Sequence, residues 1–244
     1  MYFCQKLAFN DMIHIEHFTF NSFQTNCYVL WDEDGKCAIA DPGCASEAEI
    51  KELAGFIEEK GLEPECILLT HCHFDHIYGM AVLAKAYEIP VHADMKEMYS
   101  MQVTNDTLCK QFGFPMPEEF PIIKISSDFR YASRAEWVAE GDLLHVGSLC
   151  FEVIQTPGHS KGGLCFLERN EKILLSGDTL FAGAIGRTDH PGGDYDVLMR
   201  SIFEKLLMLD GDTRVLPGHG PSSDIATERM TNPFLMPFNE PYEE

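Results

Sequence analysis

His71-Cys72-His73-Phe74-Asp75-His76 concentrates three imidazoles and a carboxylate within one short stretch of the chain. In an extended segment side chains alternate, so His71 and His73 project to one side and Cys72 to the other. The two histidines can therefore share a cation, while Cys72 reads as a small buried hydrophobe. Asp75 and His76 follow where the chain turns toward a helix, and can face a second ion. Imidazole with carboxylate suits zinc, iron or manganese; it does not select copper(I) as thiolates would.

The residues around the hexapeptide read as a strand before it, Cys66-Ile67-Leu68-Leu69, and a helix after it, about 77–87. Three other apolar runs end in ligand-type residues in the same way. Val153-Ile154-Gln155-Thr156 precedes Pro157-Gly158-His159, Ile173-Leu174-Leu175-Ser176 precedes Gly177-Asp178, and Arg214-Val215-Leu216 precedes Pro217-Gly218-His219. Loops leaving strand ends let a rigid sheet aim side chains at a common point. One site built from four loops is expected.

Further out, 12–20, Thr25–Trp31 and Lys36–Ala40 read as strands, the last halted by the turn signal Asp41-Pro42-Gly43. Over 46–60, Ile50, Leu53, Phe56 and Ile57 fall at helical spacing, with Ser46 as N-cap, Glu49 completing a capping box and Gly61 at the stop. Strand 172–176, a helix near 194–208 and strand 213–216 follow. The stretch 93–140 differs, with Pro115, Pro117 and Pro121 among scattered Met and Phe residues. It reads as an insertion, one helix and a proline-rich loop, within a single domain spanning 1–244. Its apolar side chains admit two roles: a lid over the site, or packing on the outer helices or on a second copy in a homodimer.

Composition removes several classes. There are 39 acidic against 18 basic residues, a formal charge of −21, and no basic stripe to grip a phosphate backbone. No apolar run is long enough to span a bilayer, and the first residues lack the pattern of a signal peptide. The nine cysteines form no Cys-x-x-Cys pair, which fits reduced thiols in a cytoplasmic protein.

His-x-His-x-Asp-His with distant Gly-His, Gly-Asp and Gly-His-Gly resembles the metallo-β-lactamase superfamily, whose fold is an αββα sandwich with metals at one edge of the sheets. Thr156-Pro157-Gly158-His159-Ser160, Gly177-Asp178-Thr179-Leu180-Phe181, Gly186-Arg187-Thr188-Asp189 and Leu216-Pro217-Gly218-His219-Gly220 are similar to the glyoxalase II-like (hydroxyacylglutathione hydrolase-like) members. Pro191-Gly192-Gly193-Asp194 and Thr231-Asn232-Pro233-Phe234 point to the compact, single-domain group. The resemblance implies that His71, His73 and His159 hold one metal, that Asp75, His76 and His219 hold a second, and that Asp178 bridges both. Asp75 and Asp178 are thereby the catalytic carboxylates. Asp41 would orient the histidine loop from behind, and Arg187 would hold a substrate carboxylate or carbonyl unless it pairs with Asp189 or Asp194.

Two departures stand out. Tyr78 replaces a glycine common after the motif, adding bulk near the site. Only 25 residues follow His219, so the helical glutathione-binding domain of full-length glyoxalase II is not expected. The remaining histidines, His14, His17, His92, His145 and His190, read as ordinary surface or core residues.

The activity implied is hydrolysis of a small-molecule acyl thioester by metal-bound hydroxide, with two divalent ions, zinc first and iron or manganese as alternatives. A mononuclear iron persulfide dioxygenase of the same fold is the main rival. A phosphodiesterase or nuclease is disfavoured by the charge, and a non-enzymatic domain by the complete ligand set. A true β-lactamase is disfavoured by the Gly186-Arg187-Thr188-Asp189 loop.

Overall fold

The computed structural model describes residues 13–113 and 135–236. Two six-stranded sheets face each other. The first runs β1 (His14–Phe20), β2 (Thr25–Trp31), β3 (Lys36–Ala40), β4 (Glu63–Leu68), β5 (Val91–Ala93) and β6 (Ala135–Trp137), antiparallel through β3 and parallel beyond it. The second is ordered β14 (Ser223–Asp224), β13 (Arg214–Pro217), β10 (Ile173–Gly177), β9 (Leu164–Glu168), β8 (Leu149–Gln155) and β7 (Leu143–Val146). A small hairpin, β11 (Leu180–Phe181) with β12 (Ala184–Ile185), follows β10.

Strand alternation explains the layering. In β2 and β3, Val29 and Ile39 face outward onto Leu53 and Ile57 of α1 (Glu47–Lys60) and Leu83 of α3 (Met80–Tyr87). Their neighbours Leu30, Ala38 and Ala40 face inward, meeting Phe151, Phe166 and Leu175 of the other sheet. In the second sheet Leu167 and Leu174 point outward onto Leu198 and Ile202 of α5 (Tyr195–Glu204) and Ile225 of α6 (Ile225–Thr231). Strands buried on both faces read as apolar runs for this reason. The result is the expected αββα sandwich. No helix among the described residues is long and apolar enough to cross a membrane.

Helix α1 keeps its sequence-read ends: Ser46 and Glu49 form the capping box, and Gly61 closes the helix at φ 66°. The helix read at 77–87 is instead two pieces, α2 (Phe74–Ile77) and α3. The stretch 93–140 is not wholly an insertion, because β6 lies within it and pairs parallel with β5 as an edge of the first sheet. Three residues are too few to show a strand period. The described start of that stretch is a 3₁₀ turn (Met95–Glu97), a π-helical segment (Ser100–Thr104) and α4 (Asn105–Phe112). Pro115, Pro117 and Pro121 lie outside the described residues.

Candidate metal centre

The four ligand-bearing loops leave β4, β8, β10 and β13, and they meet. Nitrogen donors of His71, His73 and His159 form one compact set, with all ligand atoms within 4.8 Å of one another, and Asp75, His76 and His219 form a second. Asp178 lies between them. One of its oxygens is 3.4 Å from His76 Nε2, and the other is 3.5 Å from both His159 Nε2 and His219 Nε2. The sheets are joined beside this point: Thr25 pairs with His219, and Asn26 donates its backbone N–H to Gly218 at 2.8 Å. A Cβ on Gly218 would stand 2.2 Å from Asp178 Oδ1 and 2.7 Å from His76 Cε1, so only glycine permits that approach.

Hydrogen bonds assign the imidazole tautomers. Thr70 donates its hydroxyl to Asp41 at 2.6 Å, leaving its oxygen to accept from His71 Nδ1 at 3.2 Å. His159 Nδ1 donates to the Arg187 carbonyl at 2.8 Å, His76 Nδ1 to Asp41 at 3.1 Å, and His219 Nδ1 to the Phe23 carbonyl at 3.1 Å. His71 and His159 therefore present Nε2 as a lone pair toward the centre, and His76 and His219 also turn Nε2 toward it. His73 is inverted: its Nδ1 lies 2.8 Å from His159 Nε2, and its own Nε2 is buried without a hydrogen-bond partner. Asp41, His71 and His76 could also group as ligands, but Asp41 already accepts from Thr70 N–H, the Thr70 hydroxyl and His76. It orients the donors instead of joining them.

Charge separates the two triads. Burial, reinforced by neighbouring imidazoles, pushes His71 and His73 well below the ordinary histidine value; burial also lowers His159, against the pull of Asp178. Burial opposes the charge on His219, yet Asp178 and then Asp75 push it up to about 11, and His76 is raised by the same carboxylates against burial. Burial likewise resists ionisation of the two aspartates, but His76 and His219 outweigh it. Asp75 falls to about 2 and Asp178 below the ordinary carboxylate range. Protons on His76 and His219 thus sit where cations would.

Comparison with known proteins gives the same fold and family. The model of the metallo-beta-lactamase superfamily matches residues 21–219. The chain belongs to that superfamily. Hydroxyacylglutathione hydrolase GloC of Haemophilus influenzae is 34% identical over 223 residues, covering 91% of this chain and 98% of that one. Among solved structures, the BLEG-1 B3 metallo-beta-lactamase superposes with a TM-score of 0.77 at 35% identity, over 91% of this chain and 99% of that one. TTHA1623 in a di-iron-bound form superposes with a TM-score of 0.73 at 32% identity, over 90% and 100%.

A metallo-hydrolase family implies cations, and the donor set fits them. His71 Nε2 and Asp178 Oδ1 are buried polar atoms without a hydrogen-bond partner, a costly condition that a cation relieves. Three neutral imidazoles suit one ion, and a set with two carboxylates suits another.

Several expectations change. His190, read as an ordinary residue, packs against the site with its ring centroid 4.8 Å from His73 and 5.0 Å from His159. Tyr78, expected to add bulk near the site, packs edge-on to Phe74 at 5.8 Å against the outer apolar layer. Cys72 is buried in that layer, as alternation predicts. The exposed Arg187 side chain is gripped by Asp189 through Nε at 2.8 Å and Nη2 at 3.1 Å, while its carbonyl positions His159.

The described part of the insertion packs against the ligand loops. Buried Asn105 accepts from Phe74 N–H at 3.0 Å and donates to the Cys72 carbonyl at 3.0 Å. Thr104 donates to the Pro191 carbonyl at 2.6 Å, in the turn that carries His190. These contacts brace the ligand loops. Sequence reading missed them because isolated polar residues without a period look like surface.

Proposed function

We propose that this chain hydrolyses acyl thioesters of the hydroxyacylglutathione type at a dinuclear metal centre. His71, His73 and His159 would hold one divalent ion, Asp75, His76 and His219 the other, and Asp178 would touch both. The carrying observation is the end-to-end match with GloC: a protein covered to 98% of its length bears the name hydroxyacylglutathione hydrolase.

When bound, two such ions bring the pKa of water toward neutrality and polarise the scissile carbonyl. The protein's own part is orientation and exclusion. Asp41, Thr70 and the carbonyls of Phe23 and Arg187 fix which nitrogen each ligand offers, and burial of the His71 and His73 rings keeps bulk water off one flank of the centre. A thioester matches this machinery because its leaving thiol, with a pKa of about 8.5, departs as thiolate without a strong acid. Arg187 supplies a cation at the rim to receive a substrate carboxylate, sharing it with Asp189.

The competing reading is β-lactam hydrolysis, favoured by the likeness to the B3 enzyme. Purified protein of known metal content is assayed on a hydroxyacylglutathione thioester, on thioesters of other thiols and on a chromogenic cephalosporin. The proposal expects thioester turnover to exceed β-lactam turnover, with zinc or iron at two ions per chain. Faster opening of the β-lactam, or one iron per chain with oxygen uptake on a persulfide, overturns it.

A further inference from the structure

One carboxylate holds two ligand loops together. Glu97, at the end of the 3₁₀ turn, is 1% exposed. Its Oε2 accepts the N–H of Cys72 at 2.7 Å, and its Oε1 accepts that of Gly162 at 2.7 Å. Cys72 stands between His71 and His73, and Gly162 lies just past His159. The approach is close: a Cβ on Gly162 would come within 3.0 Å of both Glu97 Cγ and its backbone nitrogen.

The triad of His71, His73 and His159 draws two imidazoles from one of these loops and one from the other. The Glu97 carboxylate therefore spans its two halves, beside the backbone bond from Leu164 N–H to the Thr70 carbonyl at 2.7 Å. The second triad is tied otherwise, with Asp75 accepting from Thr25 at 2.8 Å, His76 held by Asp41 and His219 by the Phe23 carbonyl.

We propose that Glu97 is the positioning residue of the His71–His73–His159 triad, fixing the spacing of its two loops and thereby its affinity for a cation. The proposal goes beyond the thioester reading and does not depend on it, because its readout is metal occupancy and not turnover.

The test is Glu97→Gln in the full chain. Glutamine offers one acceptor oxygen, and its NH₂ group faces the other backbone N–H, so one of the two ties is lost. Zinc affinity is measured by competition with a chromophoric chelator in two backgrounds, His219→Ala, which leaves the first triad complete, and His159→Ala, which leaves the second. In the His219→Ala background, Glu97→Gln should weaken zinc binding by about 10- to 100-fold, the scale seen when groups behind metal ligands are removed. In the His159→Ala background the change should stay within about threefold. Glu168→Gln is the structural control. That carboxylate is also buried, accepting from Glu171 N–H at 2.7 Å in the turn after β9, and its loss should lower thermal stability without moving either affinity. Equal weakening in both backgrounds, or none in either, overturns the proposal. Should Glu97→Gln fail to fold, Glu97→Asp takes its place: it keeps two acceptor oxygens on a shorter stem and must weaken the first triad selectively, or the proposal fails.

Discussion

His190 stands at right angles to His73, their ring planes 87° apart and their centroids separated by 4.8 Å. It meets His159 in the same way, so one ring walls two ligands of the first triad. The Nε2 atoms of His73 and His190 are both buried without a hydrogen-bond partner. His190 should therefore act on the triad chiefly through the packing of its ring. His190→Ala should weaken the first cation by about tenfold, whereas His190→Phe, which keeps an edge-on ring, should stay within about threefold. Chelator competition measures both. Equal loss in the two variants would show that the nitrogen matters and the ring does not.

Asp178 reaches both triads from one carboxylate. Asp178→Ala should reduce metal content from two ions per chain to one or fewer. Hydrolysis should fall by about 10²- to 10³-fold, the scale of losing charge stabilisation at a reacting centre. Mass spectrometry of the purified variant gives the metal count directly. Two ions retained at full occupancy would mean that Asp178 is not shared between them.

The parts of this molecule that sequence discloses are those encoded locally. Ser46, Glu49 and Gly61 mark the ends of α1 because a capping box and an αL stop involve only near neighbours. The seven donors are legible because each follows an apolar strand, and a rigid sheet delivers strand ends to one edge. His190 is not legible, since its contacts with His73 and His159 depend on how the loop after β12 folds back, and no spacing encodes that. Glu97 and Asn105 are hidden for a related reason. A buried polar residue that serves the backbone of a distant loop carries the same letter as a solvated one.

The metal-free protein should have a stability optimum near pH 6.5, and the sign follows from opposed histidines. His76 and His219 have folded values raised above 6.5, so their contribution is present below 6.5 and is lost as pH rises, for His219 through about 11. His71, His73 and His159 are lowered, so the unfolded chain takes up their protons first and stability falls as pH drops below 6.5. Cations displace the protons of His76 and His219, so their affinity rises with pH. Thermal midpoints of stripped and metal-loaded protein should therefore diverge between about pH 6 and 9. A constant gap across that range would contradict the charge assignment of the second triad.

Asn105 distinguishes a brace from a lid. It serves both the N–H of Phe74 and the carbonyl of Cys72 from a fully buried position. Asn105→Ala leaves a donor and an acceptor inside the protein without partners, at about 1–3 kcal/mol each. The urea midpoint should fall accordingly, with the slope of the transition unchanged. Asn105→Asp should do no better, because it restores the acceptor for Phe74 but turns an oxygen toward the Cys72 carbonyl. A lid residue would behave differently: its loss would alter kcat or KM while metal content and stability stayed as they were. A large kinetic change in Asn105→Ala at unchanged urea midpoint and metal content would therefore return this part of the chain to the role of a cover over the cleft.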